Sequence, residues 1–165
     1  IKVLVLCTGN SARSILGEAL FNHLGQGRVR AYSAGSRPSG QVNPLALETL
    51  AKHSVPLPAE VRSKSWDEFA VPGAPHFDYL FTVCASAAGE TCPVWLGHPV
   101  TAHWGIADPA HVEPIEARRA AFEQAFIALE KRIRAFLALD LAALSAQEVA
   151  TAAQLIHVAA QEGEQ

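Results

Sequence analysis

The sequence has no excess of charge of either sign and no long hydrophobic run. Its 165 residues include 13 Lys and Arg and 16 Asp and Glu, a formal net charge of −3. This balance suggests neither nucleic acid nor an anionic membrane as a partner. No window approaches the ~18 uninterrupted apolar residues of a membrane span. The short apolar start at Ile1 lacks the basic flank of a signal peptide, so none is expected there.

Cysteine is scarce, with only Cys7, Cys84 and Cys92. An odd, small number in a domain of this size argues against a disulfide scaffold. It favours reactive thiols in a reducing compartment, so we expect a cytoplasmic protein. Half of the residues are hydrophobic, which is enough for the core of a single domain.

One stretch of the sequence combines a thiol, a guanidinium and small polar residues, Cys-Thr-Gly-Asn-Ser-Ala-Arg-Ser at residues 7–14. An apolar run at 3–6, typical of a buried strand, precedes it, and apolar residues with helical spacing follow from Ile15. A curled loop at such a junction turns its backbone N–H groups inward and forms a site for an anion. Arg13 adds a planar fork that holds two oxygens of a tetrahedral oxyanion.

The same positive groups stabilise a thiolate, so Cys7 is the predicted nucleophile, with a lowered pKa. The alternative is a buried cysteine beside a helix cap. The predicted oxyanion-binding residues are Thr8, Gly9, Asn10, Ser11, Ala12, Arg13 and Ser14.

Strand and helix patterns alternate along the chain, which predicts a three-layer α/β/α fold with a four-stranded parallel sheet. The predicted strands are 2–6, 29–33, 78–84 and 100–104, and the predicted helices are 12–24, 44–52, 114–139 and 146–161, with a further short helix near 65–69. We expect residues 1–140 to form the main domain. Residues 141–165 are expected to form a C-terminal helical extension, whose role the sequence does not indicate.

The chemistry-bearing residues outside the loop fall at strand ends. Cys84 ends the third predicted strand and Asp108 follows the fourth, so both are expected at the sheet edge where Cys7 lies. A carboxylic acid there can donate a proton to a leaving oxygen. The alternative for Asp108 is an ordinary turn residue before Pro109.

Cys84 and Cys92 bracket a loop of small residues. They are either structural cysteines, reactive thiols or ligands of a zinc site with His98 and His103. The cysteine spacing is longer than zinc sites use, and the two histidines face opposite sides of one strand. No metal site is therefore predicted.

Taken together, these motifs resemble the low-molecular-weight protein tyrosine phosphatase family, and in particular the arsenate reductases built on that fold. The resemblance runs from residue 1 to about 140, and it rests on residues 7–14, Thr82-Val83-Cys84, Cys92-Pro93, His103-Trp104-Gly105 and Asp108-Pro109. It implies Cys7 as the nucleophile, Arg13 as the oxyanion clamp and Asp108 as the general acid. It also implies a redox relay through Cys84 and Cys92, which an external thiol donor reduces, either thioredoxin or glutaredoxin with glutathione.

Three functions remain open: arsenate reduction in arsenic detoxification, hydrolysis of phosphate monoesters such as phosphotyrosine, and binding of oxyanions without catalysis. An intact nucleophile and acid argue against a mere binder. Cys84 and Cys92 favour arsenate reduction, because hydrolysis by one thiol needs neither. Ala110, which follows the Asp-Pro pair where the phosphatases usually have an aromatic residue, also resembles the reductases. The loop between the two cysteines is about one residue longer than in the thioredoxin-coupled pattern.

No cofactor is expected besides the external reductant. The resemblance offers a potassium ion as one possibility, because Asn10, Glu18, Ser33 and Asp67 loosely match positions that bind potassium in some thioredoxin-coupled reductases. The favoured interpretation is that these four are solvated polar side chains.

Overall fold

The computed structural model describes residues 1–84 and 99–164. Its regular elements, in chain order, are β1 (Lys2–Leu6), α1 (Arg13–Gly25), β2 (Arg30–Ala34), α2 (Pro44–Lys52), β3 (Tyr79–Thr82), β4 (Val100–His103), α3 (Ile115–Leu137) and α4 (Ala146–Gly163). A single 3-10 turn at Trp66–Phe69 stands where the short helix near 65–69 is predicted. Within these described ranges, no helix combines the length and apolar character needed to cross a bilayer.

The four strands form one parallel sheet in the order β2-β1-β3-β4, as the alternating pattern predicts. Leu6 pairs with Ala34 on one side and with Thr82 on the other, and Thr82 pairs in turn with His103. The carboxyl ends of the strands therefore line up at a single edge. The described residues that follow β1, β3 and β4 begin at this edge.

The two faces of the sheet are buried against different partners. Val3 and Val5 belong to a large core that contains residues of all four helices. Leu4 and Leu6 face the opposite side, where a smaller cluster includes aromatic rings from the segment around the 3-10 turn. Central strands buried on both faces explain the continuous apolar run of β1.

Local signals set the helix starts. The Asn43 side chain accepts a hydrogen bond from the backbone N–H of Leu45 at 2.9 Å, as expected for an Asn-Pro helix start. The predicted capping box of α4 is also confirmed, with Ser145 and Glu148 each accepting the other's backbone N–H at 3.1 and 2.9 Å. The third strand ends at Thr82, two residues earlier than predicted.

Helix α4 packs against α3 and along the outer strand β4. The indole N–H of the buried Trp104 donates to the carbonyl of Ala153 at 3.0 Å. The Gln154 amide accepts the N–H of His103 at 3.3 Å and donates to its carbonyl at 3.1 Å. The C-terminal helix therefore closes the side of the sheet next to β4. The expected division of the chain near residue 140 stays a prediction.

Candidate active site

The loop between β1 and α1 curls as the sequence predicts. Asn10 adopts a left-handed conformation with a φ of 44°. Three carbonyl groups of the loop point outward and accept hydrogen bonds from the backbone N–H groups of a later segment. The pairs are Thr8 with Arg37 at 3.0 Å, Gly9 with Ser39 at 3.0 Å, and Ser11 with Asn43 at 2.9 Å. In a trans peptide the N–H points away from its carbonyl. The N–H groups of the following residues therefore point into the loop, an arrangement suited to an anion.

Cys7 and Arg13 lie at the two ends of this loop and are both buried. The Cys7 thiol is 5% exposed and the Arg13 side chain is 4% exposed. One guanidinium nitrogen of Arg13, Nη1, donates to the carbonyl of Ile106 at 2.8 Å. The segment after β4 thus holds the guanidinium beside the loop of residues 7–12, the anion loop.

Asp108 reaches the same place from that segment. Its Oδ2 lies 3.6 Å from Nη2 of Arg13, and its Oδ1 accepts the N–H of Ala110 at 3.0 Å. The carboxyl is 35% exposed and borders a cavity of about 380 Å³, which also contains Cys7 and the loop. The structure therefore brings Cys7, Arg13 and Asp108 together, as their positions after β1 and β4 indicate.

Cys84 is fully buried just after β3, the strand next to β1. Its sulfur is disulfide-bonded. Cys92 and His98 lie outside the described residues. His103 is engaged elsewhere, since its Nδ1 is hydrogen-bonded to the hydroxyl of Thr82 at 2.6 Å.

A buried polar network supports the loop from behind. The Asn10 side-chain amide donates to the hydroxyls of Ser14 at 2.8 Å and of Ser33 at 3.0 Å. The Ser33 hydroxyl donates in turn to the Glu18 carboxylate. Asn10, Glu18 and Ser33 are at most 5% exposed, so the interpretation of these three as solvated side chains is wrong. It holds for Asp67, which is exposed on the 3-10 turn.

Lys64, which carries no functional signal in the sequence, completes this network. Its side chain is 6% exposed, and the ammonium lies 3.9 Å from Oε1 of Glu18 and 3.5 Å from the Ser33 hydroxyl. It also donates to the carbonyl of Arg62 at 3.0 Å. Burial raises the pKa of Glu18 and lowers the pKa of Lys64, while the attraction between the two groups opposes both shifts.

The position of the Lys64 ammonium shows whether Asn10, Glu18 and Ser33 fit a potassium ion. Two of the oxygens that would hold the ion, those of Glu18 and Ser33, already face Lys64. A second cation beside a buried ammonium would be repelled at close range in a region of low dielectric constant. The residues therefore do not fit potassium. No sequence signal marks Lys64 as buried, because it follows an irregular proline-containing segment without periodicity.

The chain is similar to known proteins in sequence and in fold. Residues 2–150 match the family model for low molecular weight phosphotyrosine protein phosphatase. An arsenate reductase of Bacillus licheniformis is 35% identical over 121 residues, 72% of this chain and 81% of that protein. The crystal structure of an arsenate reductase from Archaeoglobus fulgidus superposes with a TM-score of 0.61 at 28% identity, covering 80% of this chain and 98% of that one. A thioredoxin-dependent arsenate reductase of Corynebacterium glutamicum superposes with a TM-score of 0.53 at 26% identity, covering 81% of this chain and 61% of the other.

Proposed function

The chain belongs to the low-molecular-weight phosphotyrosine protein phosphatase family, and from this premise we propose that it reduces arsenate to arsenite with its own thiols. One observation carries the choice of reduction over hydrolysis. A second cysteine, Cys84, is buried two residues after β3, the strand next to the one that leads to Cys7. Leu6 and Thr82 pair across these strands, so the two cysteines follow paired positions by one and two residues. Hydrolysis through a single thiol does not use this placement.

The first step uses the residues that line the cavity. Arsenate binds to the inward N–H groups of the loop and to the guanidinium of Arg13. The Cys7 thiolate attacks the arsenic, an As–O bond breaks, and the carboxylic acid of Asp108 protonates the leaving oxygen, which departs as water. The product is a Cys7–arsenate thioester. Arg13 lies beside both reacting groups and stabilises the charge that develops on the oxygens.

The second step transfers two electrons to arsenic. The reduced Cys84 thiolate attacks Sγ of Cys7, an S–S bond forms, and the electron pair of the S–As bond leaves with arsenic as arsenite. The Cys92 thiolate then attacks the sulfur of Cys84, which releases Cys7 as a thiolate and leaves a Cys84–Cys92 disulfide. Cys92 lies outside the described residues, so its part in this relay rests on the family resemblance.

An external thiol donor must reduce that last disulfide. We favour thioredoxin, because one structurally similar protein is a thioredoxin-dependent arsenate reductase. Glutaredoxin with glutathione is the alternative. The test is arsenate-dependent oxidation of the donor, run in parallel with both systems. If neither donor is oxidised in response to arsenate, the chain is not an arsenate reductase.

Mass mapping after one turnover without reductant tests the relay itself. Wild type should accumulate a Cys84–Cys92 disulfide, and Cys92→Ser should trap Cys7–Cys84, because the third thiol is needed for release. Cys84→Ser should produce no arsenite, and Cys7→Ser should lose turnover but keep its fold. Normal cycling of Cys92→Ser with glutathione and glutaredoxin would favour a two-thiol scheme.

The alternative function is hydrolysis of phosphate monoesters, which the family name favours. The cavity is bordered by Ala110, which offers no aromatic ring to a phosphotyrosine. Hydrolysis of a phosphate ester that survives in both Cys84→Ser and Cys92→Ser, in a protein that never reduces arsenate, would identify a phosphatase.

A further inference from the structure

Lys64 and Glu18 form a buried ion pair that the proposed chemistry does not use. A buried charge is costly unless it is compensated, and each of these groups has the other as its charge partner at 3.9 Å. Lys64 comes from the segment before the 3-10 turn, whereas Glu18 lies on α1 just behind the anion loop. The pair thus joins two parts of the chain that are distant in sequence.

The hydroxyl of Ser33 connects this pair to the loop. It donates to Glu18 and accepts from both the Lys64 ammonium at 3.5 Å and the Asn10 amide at 3.0 Å. One hydroxyl has one donor and two acceptor positions, so its capacity is filled. The backbone N–H of Lys64 also donates to Oδ1 of Asn10 at 2.9 Å. Lys64 therefore positions Asn10 in two ways. Its backbone N–H binds the Asn10 side chain directly, and its ammonium acts on Asn10 through the Ser33 hydroxyl.

We propose that the Lys64 ammonium is a built-in cation, which does the work of a bound monovalent ion and fixes the anion loop through Ser33 and Asn10. It supplies a positive charge to the Glu18 carboxylate, and it cannot dissociate. The loop should therefore bind oxyanions equally well with or without potassium. This assignment concerns oxyanion binding, so it holds whether the bound oxyanion is reduced or its ester is hydrolysed.

The surroundings of the pair make the proposal testable. A cavity of about 570 Å³ borders Glu18 and Lys64, so an ion from solvent can reach the carboxylate once the ammonium is removed. The same cavity is bordered by Arg30 and Glu60, and by Arg62 and Glu68, which pair with each other at the surface. None of these four replaces Lys64 beside Glu18.

The first measurement compares wild type in potassium chloride and in tetramethylammonium chloride at equal ionic strength. Thermal unfolding gives Tm, and calorimetry gives the Kd of inorganic phosphate. Both quantities should be the same in the two salts. A higher Tm or tighter phosphate binding in potassium would overturn the proposal, and this outcome does not depend on whether the variants fold.

The second measurement uses Lys64→Met, which removes the charge and leaves a similar volume. In tetramethylammonium its Tm should fall by at least about 6 °C, because Glu18 is left without its partner. Its affinity for phosphate should fall by about tenfold or more, because the loop is no longer held in place. Potassium should restore a large part of both losses by occupying the position of the ammonium.

Two further variants serve as controls. Lys52→Met removes a lysine that is 69% exposed and pairs with Glu123 at the surface, and it should change neither quantity. Glu18→Gln with Lys64→Met removes both charges and should respond equally to the two salts. If Lys64→Met keeps the wild-type Tm and phosphate affinity, or loses them equally in both salts, Lys64 does not replace an ion.

Discussion

At the scale of single residues, the shape of the anion loop depends on Gly35, the residue after β2. A Cβ atom built there would lie 2.4 Å from the carbonyl oxygen of Thr8 and 2.7 Å from that of Cys7. Both contacts are with backbone, so Gly35→Ala must displace the loop. We expect a loss of stability of about 1–3 kcal/mol, as for other overpacked sites, together with much weaker binding of phosphate.

Denaturant unfolding and phosphate calorimetry measure the two effects of Gly35→Ala. Gly163→Ala is the matched control, because the nearest atom to its added Cβ is the Lys131 ammonium at 4.0 Å. It should leave phosphate binding unchanged. Wild-type phosphate affinity in Gly35→Ala would show that the loop tolerates the shift.

Asp108 has a chemical role that a substitution of equal size can test. Asp108→Asn keeps the shape but cannot deliver a proton, so the first step should slow by about 10²–10⁴-fold. Single-turnover formation of the Cys7 adduct measures that step apart from the relay. Asp67→Asn, on the exposed 3-10 turn, is the control. An unchanged single-turnover rate would leave Asp108 as a turn residue only.

The sequence predicts the site residues that belong to a short local motif. It does not predict those whose contacts with the site come from distant parts of the chain. Cys7 and Arg13 share one short stretch, and Asp108 follows a recognisable strand. Gly35 and Lys64 have no such signal, because they are fixed by contacts with the loop across 27 and 54 residues of chain. These contacts exist only after the sheet has assembled.

At the scale of the elements, a polar cluster centred on the buried Arg132 joins α3 and α4. Arg132, 1% exposed, donates to Nδ1 of His157 at 3.0 Å and to the Glu164 carboxylate at 2.7 and 2.9 Å. Burial, and then the nearby charge of Arg132, lowers the pKa of His157 from about 6.5 to about 4. The histidine is therefore neutral in the folded protein at neutral pH, with Nδ1 as an acceptor.

This cluster makes stability depend on pH in a defined window. Below about pH 6.5 His157 becomes protonated in the unfolded chain. In the folded chain it stays neutral until the pH approaches about 4. The free energy of unfolding should therefore fall as the pH drops from 6.5 to 4, by at most about 3 kcal/mol from this group. The pKa of Glu164 is lowered by Arg132, so its contribution is lost only below its ordinary value of 4.5.

Urea unfolding at pH 7.5 and pH 5 measures this dependence. His157→Gln should reduce the difference between the two conditions, because glutamine does not titrate. His76→Gln, at an exposed position, should leave the difference as in wild type. An equal pH dependence in wild type and His157→Gln would show that other groups account for it.

Element positions are predictable here to within a residue or two, because strands and helices carry clear periodicity and caps. Asn43 and Ser145 mark the starts of α2 and α4 as predicted. The packing of α4 is not predictable in the same way. Its contacts with Trp104 and Arg132 involve a long alanine-rich helix whose pattern does not specify the surface that it covers.

At the scale of the whole molecule, the parallel sheet gathers residues from three separate segments at one edge. The pairing of Leu6 with Thr82 and of Thr82 with His103 places the ends of β1, β3 and β4 side by side. The sequence predicts this gathering from topology alone, because parallel strands share their direction. The support behind the site, centred on Lys64, depends on an irregular segment that follows no such rule.

The contact between Gln154 and His103 covers one position of the outer strand β4. An outermost strand exposes N–H and C=O groups that can pair with another chain and start aggregation. The Gln154 amide occupies both backbone groups of His103 that face away from β3, just as a neighbouring strand would. The side-chain amide of Gln154 thus makes the two hydrogen bonds that a peptide group of another strand would make, and it occupies this position. We therefore expect the C-terminal helix to oppose edge-to-edge pairing at this position, in addition to contributing to the core.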